Sequence, residues 1–215
     1  METKQKLQDA YFHYILNHGE QPKTVYLFAK ENDIAEEEFY NHFGSFESIE
    51  QSIWSGFFIE TITKVKEQEV WNQYTSREKA LSLFYSFIEL LKSKRSFASF
   101  SLKNAEKTIG SKRLLEGLKS DFEIFSAEII QEGIESGELI DRPFFANKYK
   151  DALWIQFGFV LNFWLKDTSA GFDKTDEAIE KGVNVTYNLF QRSPVDDLFD
   201  YGKFLFKNSG IKMPF

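Results

Sequence analysis

The chain has 215 residues, 42% of them hydrophobic, no cysteine, three histidines and a net charge of -7. This length and apolar content suffice for a real core, in one large domain or a small one set on a larger. Lack of cysteine removes disulfides, thiolate catalysis and cysteine-ligated zinc, and the acidic balance argues against generic affinity for nucleic acid.

Only four prolines interrupt the chain, and apolar residues recur at three- and four-residue spacing, which predicts an all-α protein. The first sixteen residues carry charges throughout and contain no apolar run, so no signal peptide is expected and a cytoplasmic location is. A first helix fits residues 4–17, with Leu7, Tyr11, Tyr14 and Ile15 on one face and Gly19 as its stop. Thr24 is placed to cap a short helix over residues 25–31. Asn32 and Asp33 suit a tight turn, because both tolerate left-handed backbone, and a third short helix follows over residues 35–42. A long helix over residues 46–68 then joins two parts.

Further helices are predicted over residues 77–96, 114–136, 143–166, 173–191 and 195–207, and residues 101–112 read ambiguously. Residues 152–165 form the longest uncharged run, fourteen residues with Gln156 and Asn162 inside it. A bilayer needs about 20 apolar residues, so this is a buried helix and no transmembrane segment is expected. The 24 Phe imply an interior built on planar rings.

The string Thr24-Val25-Tyr26-Leu27-Phe28-Ala29, then Ile34, Phe39-Tyr40-Asn41-His42-Phe43, Ser45 and Ile49, closely resembles the signature of the TetR family of transcriptional regulators. The match covers about residues 7–54. It implies a three-helix helix-turn-helix unit over residues 1–47 and a larger helical ligand-binding and dimerisation domain over residues 48–215. By resemblance Thr24, Tyr40 and His42 face DNA phosphates, and Glu36, Glu37 and Asn41 lie on the outward side of the recognition helix. Val25, Phe28, Ala29, Ile34, Phe39 and Phe43 are core positions of such a unit. Three positions depart from the family pattern: Ala35 for Ser, Asp33 for Gly, and Phe46 for a basic residue.

The family forms a four-helix dimer interface where residues 143–166 and 173–191 fall, which marks Trp154, Phe159, Phe163, Val183 and Tyr187 as interface candidates in a homodimer; the alternative is a central helix of a monomeric bundle. Phe84, Phe87, Phe122, Phe125 and Phe157 recur at helical spacing, either as plain core or as walls of a pocket for an apolar or lipid-like ligand. Residues 195–215 pack on the body, cap its cavity or lie on a membrane surface; packing is expected.

Residues 1–50 hold ten acidic residues against four lysines and no arginine, a net charge of -6. Duplex affinity comes largely from cations that replace condensed counterions, so this balance opposes the usual use of the unit. Two functions stay open: a regulator that binds operator DNA and answers to an apolar effector, and a lipid- or apolar-ligand-binding relative that has lost DNA binding. The three histidines stand apart from acidic clusters, and no phosphate loop or nucleophile elbow occurs; no metal, cofactor or enzymatic activity is expected.

Overall fold

The computed structural model describes residues 2–107, 111–142 and 146–191. Among these residues the regular structure is ten α-helices with two 3-10 turns, and no strand. The helices are α1 (Glu2–His18), α2 (Val25–Glu31), α3 (Glu36–His42), α4 (Phe46–Lys66), α5 (Ser76–Lys92), α6 (Arg95–Lys107), α7 (Ser111–Leu114), α8 (Glu116–Glu135), α9 (Ala146–Lys166) and α10 (Asp173–Phe190). The helix expected over residues 195–207 lies outside the described residues.

Local chemistry sets most of the helix ends. Gly19 takes φ 67° and returns its N–H to the Ile15 carbonyl at 2.9 Å, which stops α1. Ser45 and Ser48 exchange side-chain and backbone bonds in a capping box that starts α4, and Thr75 with Glu78 does the same for α5. Gly137, at φ 78°, ends α8, and Leu139 N–H then closes onto the Gly133 carbonyl at 2.9 Å. The expected single helix over residues 77–96 is broken. Ser93 Oγ bonds back to the Leu90 carbonyl at 2.9 Å, and α6 begins two residues later.

The long α4 packs against α1 on one side and against α5, α7 and α8 on the others, while α5, α8, α9 and α10 pack against one another in the body. Leu7, Tyr11, Phe28 and Phe39 at one end and Phe87, Phe122, Leu153 and Val183 at the other belong to one continuous buried core that runs through α4. No helix among the described residues is long and apolar enough to cross a membrane.

Arg95, at the start of α6, holds the corner between α9 and α10. Its guanidinium donates to the carbonyls of Trp164 (2.9 Å), Leu165 (3.2 Å) and Asp167 (3.1 Å), at and just past the end of α9, where helical carbonyls lack intrahelical N–H partners. The Trp164 and Phe172 rings lie 4.7 and 4.4 Å from its Cζ. Phe172 is left-handed at φ 67°, a conformation that costs an L-residue about 1–2 kcal/mol and is held here by that stack. Past the corner, Asp167 accepts from the backbone and hydroxyl groups of both Ser169 and Thr175, which holds its carboxyl far below the usual range. Arg95→Ala is therefore expected to lower unfolding free energy by about 2–3 kcal/mol. Arg95→Lys should recover less than half of that in urea denaturation, since one ammonium cannot serve three carbonyls in a fixed fork.

Candidate nucleic-acid interface

Thr24 is extended, and its Oγ1 accepts from Leu27 N–H at 3.2 Å, which opens α2. Asn32 closes that helix: its side-chain amide donates to the Phe28 carbonyl at 2.8 Å. Asp33 is left-handed at φ 53°, and Ile34 N–H turns back to the Ala29 carbonyl at 2.9 Å. Ala35 occupies the cap position of α3 with extended angles and no side-chain oxygen to offer. Glu36, Glu37 and Glu38 fill the first turn, where the helix dipole favours negative charge.

Beneath this turn, the rings of Phe28, Phe39 and Phe46 meet at centroid distances of 5.5, 5.5 and 6.2 Å, edge to face, and Tyr11 stacks on Phe46 at 5.4 Å. Phe46, where the family commonly has a cation, is buried in this cluster. These contacts fix α2 and α3 on α1 and the first turns of α4, and so decide what faces outward. Glu36, Glu37 and Asn41 are exposed, Tyr40 is 54% exposed, and Thr24 is exposed at the start of α2. His42 is half-buried, with its Nε2 3.2 Å from Glu38 Oε1, and Asn41 Nδ2 donates to the other oxygen of Glu38 at 3.3 Å.

The five phenylalanines suggested for a ligand pocket are all buried. Phe84, Phe87 and Phe122 surround Phe157 at 5.0–5.6 Å, and Phe58 joins them, so four of the five fill one another's space. Phe125 stands apart against Trp71 at 5.9 Å. Surface grooves of about 1060, 580 and 420 Å³ are lined by other residues.

Of the residues suggested for a dimer interface, Phe159 is 57% exposed, and Trp154 and Phe163 are half-buried. Val183 and Tyr187 point the other way: both are fully buried inside the chain, where the Tyr187 hydroxyl donates to the Ser76 carbonyl at 2.9 Å. The outward face of α10 carries Val185 and Leu189, 60% and 69% exposed, and α9 adds Ile155 at 71%.

A polar cluster that sequence reasoning passed over sits where α1, α4 and α6 meet. Glu50 of α4 is 7% exposed and accepts from the Tyr11 hydroxyl at 2.6 Å and from Ser101 Oγ. The Trp54 indole donates to Ser101 Oγ at 3.1 Å. Burial pushes the Glu50 carboxyl up from 4.5 against the pull of those two donors, and pushes the Tyr11 phenol up as well. The available signal was a glutamate between Ile49 and Ile53 in an otherwise apolar stripe.

Residues 79–205 match the family model described as the tetracyclin repressor-like C-terminal domain. No curated protein matches the chain. Among solved structures, a protein assigned to the TetR-family transcriptional regulators from Syntrophomonas wolfei is similar over 87% of this chain and 94% of its own, with TM-score 0.65 and 16% identity. One assigned likewise from Shewanella sp. PV-4 covers 89% of this chain and 99% of its own, with TM-score 0.56 and 15% identity. A protein of unknown function from Rhodococcus sp. RHA1 covers 88% and 96%, with TM-score 0.58 and 11% identity.

The two caps make opposite predictions. Thr24→Ala, which strips the oxygen bonded to Leu27 N–H, should cost about 1 kcal/mol, whereas Ala35→Ser, which adds an oxygen at an empty cap, should gain about 0.5–1 kcal/mol. Thermal unfolding of the two variants, measured side by side, checks both signs.

Proposed function

The chain belongs to the TetR family of transcriptional regulators, and we propose that it works in the cytoplasm as a homodimer that binds operator DNA and responds to an apolar small-molecule effector. In this reading residues 1–47 form the DNA-binding unit and residues 48–215 the ligand-binding and dimerisation unit. The supporting observation is the tight turn between α2 and α3, closed by Ile34 N–H on the Ala29 carbonyl, which presents Tyr40 and Asn41 on an exposed helix face over a closed aromatic core. Thr24, Tyr40 and His42 supply donors for phosphate oxygens. Asn41 suits an adenine edge, and Glu36 and Glu37 can accept from cytosine amino groups.

For pairing, Ile155 and Phe159 of α9 and Val185 and Leu189 of α10 offer a self-complementary apolar surface, with Trp154 and Phe163 at its margin. The effector is apolar or lipid-like, because it must part the rings around Phe157 to enter the body. Its differential affinity for the parted arrangement is what shifts the α3 helices of the dimer.

A second reading is favoured by one observation: the exposed first turn of α3 is acidic, in a segment of net charge -6. It makes the chain a binder of lipid or another apolar ligand whose DNA-binding unit is retired.

Phe159→Asp should sediment at the mass of one 25.2 kDa chain, while the unaltered protein sediments as two; unaltered monomers would end the dimer reading. With DNA from around its own gene, binding should weaken as salt rises. Glu36→Lys with Glu37→Lys should raise low-salt affinity for unrelated DNA roughly tenfold, since each cation placed on a phosphate releases condensed counterions. No DNA binding at low ionic strength, together with a co-purifying lipid in native mass spectrometry, selects the second reading.

A further inference from the structure

The α1–α4–α6 junction is closed over a carboxylate that has no cation beside it. Glu50 is met by Tyr11 from α1 and Ser101 from α6, with Glu47 one turn away on α4; Gln21, from the turn after α1, and Trp54 of α4 bond in turn to those two donors. Every hydrogen in the cluster is directed inward. Gln21 Nε2 donates to the Tyr11 oxygen at 3.3 Å, Tyr11 donates to one carboxylate oxygen at 2.6 Å, Trp54 donates to Ser101 Oγ at 3.1 Å, and Ser101 donates to the other. The neighbouring charge, Glu47, has the same sign. Among the described residues no lysine, arginine or histidine pairs with Glu50.

Two hydrogen bonds offset part of the cost of taking a carboxylate out of water, and a salt bridge is missing. The balance is unfavourable, since burial outweighs the donors and raises the proton affinity of Glu50 above its ordinary value of 4.5. The sign follows from linkage. Where Glu50 is buried it holds its proton to higher pH than where water reaches it. A proton therefore favours the closed junction, and loss of the proton favours an open one.

We propose that Glu50 is a preloaded latch: its buried carboxylate keeps the α1–α4–α6 junction poised to open, so that a small shift of α6 lets water reach it and frees α1. The donors hold the latch shut; the charge supplies the push. Tyr11 belongs both to this cluster and to the ring stack under α2 and α3, so release of α1 loosens the whole three-helix unit. The consequence for gene control rests on the reading of that unit as DNA-binding, but the test needs no DNA.

Hydrogen–deuterium exchange of the full chain at pH 5.5 and 7.5, corrected for intrinsic rates, reads the latch through the amides of α1 and α6. In the unaltered protein their protection should fall as pH rises. Glu50→Gln, neutral and of the same shape, should hold the acid-like protection at both pH values and exchange more slowly than the unaltered protein at pH 7.5. Tyr11→Phe should speed exchange in the unaltered background and do much less in Glu50→Gln.

Identical pH profiles for the unaltered protein and Glu50→Gln would overturn the latch. So would faster exchange in Glu50→Gln, which would make the carboxylate a simple structural acceptor, or an equal change in α8 and α10, which would be a global effect on stability. A protein that passes this test and binds no DNA keeps the latch and loses the regulator reading.

Discussion

The inner surface of α4 is shared between two sets of neighbours. Its first turns carry Phe46 and Ile49 into the ring cluster of α1, α2 and α3, and its later turns carry Phe58 and Val65 into the body formed with α5 and α8. Between them, Ile53, Trp54 and Phe57 are buried on adjacent sides of the helix. A helix buried over so wide an arc cannot roll or slide without opening a void on one side and a clash on the other, since protein interiors pack at crystal-like density. The orientation of the first three helices relative to the body is therefore a property of α4 and of what touches it.

Aromatic packing makes that coupling stiff. Rings that meet edge to face, such as Phe28 on Phe46 and Phe84 on Phe157, have preferred angles as well as preferred distances, and a ring has two side-chain torsions to absorb a displacement. The centre around Phe157 is packed with the rings of Phe84, Phe87 and Phe122, three of the residues that were candidates to line a chamber. Any ligand that enters there must exchange ring–ring contacts for ring–ligand contacts, which favours flat or flexible apolar molecules over polar ones.

Features that depend on local chemistry were legible in the sequence. The Gly19 stop, the Thr24 cap, the left-handed turn at Asp33 and the buried Phe28, Phe39 and Phe43 each follow from residues within a few positions of one another. The interface candidates on α10 show where such reading ends. Val183 with Tyr187 and Val185 with Leu189 are both apolar pairs at helical spacing, and nothing local says which faces inward; the contact of Tyr187 with Ser76, more than a hundred residues away, decides it. The break before α6 combines the two kinds of cause: the Ser93 bond to Leu90 is local, whereas Arg95, which anchors the new helix, finds its partners at the end of α9. Glu50 was legible only as an anomaly. Its partners come from Tyr11 and Ser101, on helices that no sequence spacing connects.

The corner at Phe172 has a consequence of a different kind. Its left-handed backbone is tolerated because the ring lies on Arg95, and Arg95 is in place because α6 starts where it does. Withdraw α6 and Phe172 keeps the strain without the contact that offsets it, so the start of α10 relaxes. The dependence is reciprocal: whatever steadies the α9–α10 corner from outside must, by the same free energy, steady α6 from within. A second molecule resting on the outer faces of these two helices would thus be felt in the interior before any small molecule arrived there.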